Sequence, residues 1–198
     1  MSKKTVFLIS LFLITLIEIN GQNHYFGIKI GYNKSMATSP NNQVNFNGND
    51  ITVSQGTNWF KGIDGFQIGI SSNIDIGYDF LHLDIAPLYS KYGFDNNQKF
   101  QLDYFDLDIG FSNMNSEVPS KFVVGIGLTP SLVISSKNLN NINDFDLRVY
   151  MILGYRFYKN YVIYTQLRYG LIELIPESKI RNFQLSLNIN IPILKLKK

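Results

Sequence analysis

A closed, up-and-down barrel of eight antiparallel β-strands is the architecture this sequence predicts, and three observations predict it. Apolar residues recur at every second position over most of the chain, with no sustained helical period. The alternating segments number eight, an even count that returns the last strand to the side of the first. The connections between them are mostly long after odd strands and short after even ones. At 198 residues the chain suits a single domain.

The first 21 residues stand apart from this pattern. Lys3 and Lys4 precede an apolar run from Val6 to Ile17 that is broken only by Ser10 and Thr15. A short positive region followed by so short an apolar core reads as a secretory signal peptide over residues 1–21. The core is too short to cross about 30 Å of hydrocarbon as a helix. The barrel domain is then residues 22–198.

Each strand is justified by its own alternation. The first sets Phe26, Ile28, Ile30 and Tyr32 against Gly27, Lys29 and Gly31. The second sets Phe66, Ile68 and Ile70 against Gln67, Gly69 and Ser71. A Gly77-Tyr78-Asp79 corner leads to the third, with Leu81, Leu83, Ile85, Pro87 and Tyr89 opposite His82, Asp84 and Ala86. The fourth opposes Phe105, Leu107, Ile109 and Phe111 to Tyr104, Asp106, Asp108 and Gly110. In the fifth, Phe122, Val124, Ile126, Leu128, Leu132 and Ile134 share one face. Gly125, Gly127, Thr129 and Ser131 share the other. The sixth carries Phe145, Leu147, Val149, Met151, Leu153, Tyr155 and Phe157 against Asp146, Arg148, Gly154 and Arg156. Lys159-Asn160 is a two-residue hairpin signal before the seventh, where Ile163, Leu167, Tyr169 and Leu171 oppose Tyr164, Gln166, Arg168 and Gly170. The eighth sets Phe183, Leu185, Leu187, Ile189, Ile191 and Ile193 against Asn182, Gln184, Ser186, Asn188 and Asn190.

Composition decides which face is wet. Only 17% of the chain is charged, below the quarter or so usual for a soluble domain, while 45% is hydrophobic and 14% aromatic. A soluble barrel of the lipocalin kind keeps its apolar face inside and charges outside. Here the polar face is mainly Gly, Ser, Asn and Gln, small groups that fit a crowded interior. The apolar face is uninterrupted and would form far too large a patch in water. The inverted arrangement, a transmembrane barrel with apolar residues outward, is therefore expected. Tyr25, Tyr89, Tyr92, Phe157, Tyr158 and Tyr161 are expected to form its interfacial girdles.

Several strands resemble the PorT-like outer-membrane β-barrel family of Gram-negative bacteria. Gly27-Ile28-Lys29-Ile30-Gly31-Tyr32-Asn33 is similar to the family's opening G-x-K-x-G-x-N. Leu102-Asp103-Tyr104-Phe105-Asp106-Leu107 resembles its L-x-Y-L-x-I strand, and Gly154 to Asn160 its G-Y-R-F-x-K-N strand and turn. Gly65 to Ile70, Leu88-Tyr89-Ser90, Arg168 to Leu171 and Asn182 to Leu185 look like further family strands, in the family's order. Asp108 departs from it, standing where the family usually has Pro. The resemblance implies an eight-stranded barrel in the outer membrane without established enzyme activity. It implies a structural or accessory role, with some members linked to protein secretion and gliding.

The sequence excludes several chemistries. With no Cys there is no disulfide scaffold, thiolate metal site, thiol nucleophile or lipid-anchored Cys. Eighteen Lys and Arg against 15 Asp and Glu are too balanced for a nucleic-acid binder. No G-x-S-x-G or phosphate-cradling Gly loop occurs, so no enzyme, cofactor or metal is expected. His82 and Asp84 share a strand face and are read as a hydrogen-bonded lumen pair. The constellation singled out is the inward charge set: Lys29, Asp84, Asp106, Asp108, Arg148, Arg156 and Arg168. A charge on a lipid face costs about 2–4 kcal/mol at midplane, so these should turn inward and pair, closing the lumen. Phe46, Trp59 and Phe60, in the first long loop, are the candidate extracellular contacts. Outer-membrane lipid and envelope or secretion proteins are the expected partners. The rival readings are a small-solute pore and a soluble ligand-binding barrel.

The inverted pattern predicts that the chain sediments with outer membranes and, in SDS, migrates as a compact form that shifts on boiling. A protein found in the soluble fraction, with one mobility, would instead be the ligand-binding barrel.

Overall fold

A computed structural model describes residues 23–39, 42–47, 50–55, 58–78, 80–95, 99–114, 120–138, 142–157, 161–176 and 178–197. For 23, 39, 42–47, 50–55, 58–59 and 196–197 only the backbone is described. The expected signal peptide, residues 1–21, lies outside these residues. Among the described residues eleven strands follow one another: β1 (Asn23–Ser39), β2 (Asn42–Asn47), β3 (Asp50–Gln55), β4 (Asn58–Trp59), β5 (Lys61–Tyr78), β6 (Leu81–Asp95), β7 (Lys99–Ser112), β8 (Phe122–Lys137), β9 (Phe145–Arg156), β10 (Val162–Gly170) and β11 (Arg181–Lys197).

Eight of them, β1 and β5 to β11, form one antiparallel sheet in chain order, and β11 pairs back onto β1 to close it. The closing ladder runs from Asn23↔Lys197 to Thr38↔Arg181, with one register shift at Phe26/Gly27. The eight-stranded barrel read from the alternation is therefore the observed fold. The three extra strands belong to the first long connection. There β2 pairs only with β3, and β4 extends the sheet beside the end of β1. The pairing of Asn23 with Lys197 puts both ends of the barrel at one rim, the terminal rim. At the opposite rim, the loop rim, lie Phe60 and residues 142–144 and 171–176, and β6 and β7 pair there out to Asp95↔Lys99. At the terminal rim, Gly77 takes a left-handed φ of 87° and its N–H donates to Asp75 Oδ1 at 2.8 Å, which turns β5 into β6. The Lys159-Asn160 turn lies outside the described residues; across its base Phe157 N donates to Tyr161 O at 2.9 Å.

The faces fall as the alternation requires. Phe122, Leu153 and Ile193 point outward and are 69%, 63% and 66% exposed, while Arg148 and Arg168 are wholly buried inside. Aromatic pairs brace the outer surface, Phe66 with Tyr89 at 5.7 Å and Phe122 with Tyr155 at 6.1 Å. Two expected girdle residues are not there. Tyr25 and Tyr92 have the inward parity of Lys29 and Ser90, and both are buried. Tyr158 is outside the described residues.

The interior is layered along its length. At the loop rim Phe60, Tyr92, Phe94, Phe100, Leu102 and Tyr104 gather with Ala37, Leu174, Ile175 and Ile180 into an apolar cap. At the terminal rim Met114, Val123, Tyr150, Ile152, Val162 and Tyr164 form a second one. Polar and charged side chains fill the middle. Small residues make room for large ones on the neighbouring strand, as Gly127 of β8 does for its partner Tyr150 of β9. A Cβ on Gly127 would stand 2.6 Å from Tyr150 Cζ, too close for any side chain. Gly127→Val is accordingly expected to destabilise the folded barrel by about 1–3 kcal/mol through overpacking. Urea unfolding in detergent micelles measures it, with outward Val124→Ala as a near-neutral control.

Candidate functional site: the charged lumen

Strand parity delivers the charges to one place. Lys29 stands on β1, Asp84 on β6, Asp106 and Asp108 on β7, Arg148 on β9 and Arg168 on β10, all facing the lumen and all buried. Because the sheet is closed at eight strands, side chains from strands on opposite sides of the tube are within reach of one another.

Asp108 is the central acceptor. Lys29 Nζ and Arg168 Nη2 each donate to its Oδ2 at 2.6 Å, and Thr129 Oγ1 donates to Oδ1 at 2.5 Å. Gln166 joins Lys29 to the same carboxylate: its Oε1 accepts from Lys29 at 2.9 Å and its Nε2 donates to Asp108 Oδ2 at 3.1 Å. The second donor arm of Arg168 reaches Gln67 Oε1 at 2.6 Å and Gln184 Oε1 at 2.8 Å.

Asp106 is the second acceptor. Arg148 Nη2 donates to its Oδ1 at 2.5 Å, and also to Ser131 Oγ. Tyr92 links the two halves, donating its hydroxyl to Asp106 Oδ2 at 2.8 Å while accepting from Arg168 Nη1 at 3.3 Å. The Arg148 guanidinium lies 4.5 Å from the Tyr92 ring centre and 4.8 Å from that of Tyr104. Such cation–π contacts strengthen when desolvated. Asp146 completes this side, 3.5 Å from Arg148 Nε, with Asn182 Nδ2 donating to it at 2.9 Å and to Tyr104 OH at 3.1 Å.

Five of the seven sequence candidates therefore meet: Lys29, Asp106, Asp108, Arg148 and Arg168. Asp84 shares the lumen but makes none of the described ion pairs. Asn73 donates to its Oδ1, and the Ser112 side chain also hydrogen-bonds it. Arg156 is set apart near the terminal rim, where it donates to the backbone carbonyls of Met114, at 3.1 Å, and of Asn113. It holds the β7–β8 connection, because β9 has by then passed the level of the network. Phe60 is not an exposed loop aromatic. It is 4% exposed and packs on Phe94 at 5.4 Å within the loop-rim cap. The side chains of Phe46 and Trp59 lie outside the described residues.

Sequence reasoning missed Asp146, Tyr92 and Tyr104. The signal for Asp146 was present, two residues before Arg148 on the same face. Tyr104 carried it too, sharing the face of Asp106 and Asp108; Tyr92 did not, because it was expected in the outer girdle.

The arrangement can hold charge and exclude water; it brings no nucleophile and base together in front of an open cleft. Removing one partner leaves an uncompensated buried charge, so Arg168→Ala and Asp106→Ala are each expected to cost about 3–5 kcal/mol. Urea titrations in micelles test this, with exposed Lys121→Ala expected within about 0.5 kcal/mol of wild type.

No protein-family description matches the chain, and no curated protein matches it. Solved structures do. The fold is similar to that of Neisserial surface protein A (NspA), at 17% identity and a TM-score of 0.52, over 85% of this chain and 97% of that one. Ail, the attachment invasion locus protein of Yersinia pestis, matches at 11% identity and a TM-score of 0.46, over 87% of this chain and 99% of that one. Both are outer-membrane barrels, and at these identities the likeness is one of fold. By fold the chain is a closed eight-stranded antiparallel barrel with no helix among the described residues.

Proposed function

We propose that this chain is an exported, integral outer-membrane barrel with a closed lumen and a structural or accessory role, in envelope assembly or protein secretion. The observation that carries the membrane reading is the inversion of the two faces. Large apolar side chains cover the outside, while Arg148, Arg168 and Lys29 are buried inside. In water that outer face would drive association; against lipid it is the expected surface. The likeness in fold to NspA supports the same location.

The closed lumen rests on the ion-pair network and its two apolar caps. Polar side chains that would line a water path are engaged with one another across the tube. A lipocalin-like binding barrel needs an apolar cavity, and the middle of this interior is charged and filled. The accessory role follows from the PorT-like resemblance of the strands. Its partners are lipid along the outer face and envelope or secretion proteins beyond it. No catalytic step is assigned.

Conductance in planar bilayers tests this reading. The wild-type barrel is expected to show no large stable openings, and Asp106→Ala combined with Arg148→Ala to admit brief ones. Large stable channels from wild type would overturn the closed lumen in favour of the small-solute pore.

A further inference from the structure

One stretch of the outer surface is hollowed. Over the closing seam, Ile30 and Tyr32 of β1, Leu187 and Ile189 of β11 and Ile163 of β10 wall a groove of about 250 Å³. Gly31 and Asn188, both of inward parity, give it a floor of backbone. The walls are apolar but for the Tyr32 hydroxyl, which donates to Asp64 Oδ1 at 2.5 Å.

The groove runs toward a cationic end. Lys34, exposed, is the next outward residue of β1 beyond Tyr32, about 7 Å along the strand. Its partner across the seam is Leu185, and Arg181 shares that outward parity roughly 13 Å further along β11. Asp64 stands opposite Lys34 on β5, but its Oδ1 is taken by Tyr32. Neither Lys34 nor Arg181 makes any of the ion pairs found among the described residues, and Arg181 Nε is buried without a hydrogen-bond partner. Outward charges are tolerated on such a barrel only near the interfaces. The cross-strand pairs Lys34↔Asp64 and Lys91↔Asp103 therefore mark the level of the lipid headgroups.

We infer that this seam binds one molecule of lipid A, the phosphorylated glycolipid of the outer leaflet. An acyl chain lies in the groove and the phosphorylated headgroup meets Lys34 and Arg181. An apolar groove that ends on two separated cations is complementary to an amphiphile with an anionic head; Arg in particular matches phosphate as a fork of donors. The spacing of the cations suits an extended headgroup and not a free phosphate ion. The leaflet follows from the chain itself: beyond Lys34, β1 leads into the long first connection, and long connections mark the outer side of such barrels. The site thus rests on the outer-membrane reading and adds to it a particular lipid at a particular place.

Native mass spectrometry of the full chain in detergent micelles, titrated with lipid A, tests it. One lipid A is expected to bind saturably, and dephosphorylated lipid A more weakly. Lys34→Gln and Arg181→Gln are each expected to weaken binding about fivefold, the usual worth of one cation against an anionic lipid surface. Ile163→Trp fills the groove while keeping the outer face apolar, and is expected to weaken binding of both lipid forms. All three changes lie on the outer surface, and the heat-induced gel shift checks that each variant is folded. Equal affinity of wild type and the Lys34→Gln, Arg181→Gln double variant would overturn the site. Phosphatidylglycerol displacing lipid A at equal concentration would overturn it too, since any anionic lipid would then serve. Membrane fractionation keeps the two readings apart: a chain that sediments with outer membranes but fails the titration loses only the lipid site.

Discussion

The ladder between β1 and β11 is the constraint on which the rest of this molecule depends. An open sheet of these strands would leave two rows of unpaired N–H and C=O groups, which hydrocarbon cannot satisfy. Pairing the first strand with the last removes both edges. Closure at eight strands also sets the interior width, which side chains alone can fill. Residues far apart in the chain then become neighbours: Lys29 and Asp108, 79 positions apart, meet at 2.6 Å. The same narrowness forces Gly127 to lie bare beneath Tyr150.

Buried ion pairs are weak sources of stability, because the desolvation of two charges offsets most of their attraction. What the network gives this barrel is a defined register. A slip of one residue in β7 or β9 would exchange inner and outer faces and turn Asp106, Asp108 or Arg148 toward the outside. On a lipid surface an arginine costs about 2–4 kcal/mol near the midplane. The register in which Asp106, Asp108 and Arg148 point inward is therefore far below its neighbours in energy. Tyr92 makes the network one unit, since it touches both Asp106 and Arg168.

The apolar caps complete the closure. Phe94 and Phe100 stack 5.0 Å apart at the loop rim, and Phe60 comes down from the first long connection to meet them. Water entering from either rim meets an apolar layer before the charges.

Much of this was legible from one residue to the next. Period-two alternation with an even strand count specified the barrel, and the small, polar inner face specified its inversion. Both are local properties of an extended chain, whose side chains must alternate. Six lumen charges could be named for the same reason. The tertiary structure alone decided their partners, because pairing depends on how the closed sheet staggers its strands, which no single strand encodes. It alone moved Tyr92, Tyr25 and Phe60 indoors and Arg156 to the rim. An aromatic ring suits the inside of a capped barrel as well as its outside, and only the position along the tube distinguishes the two.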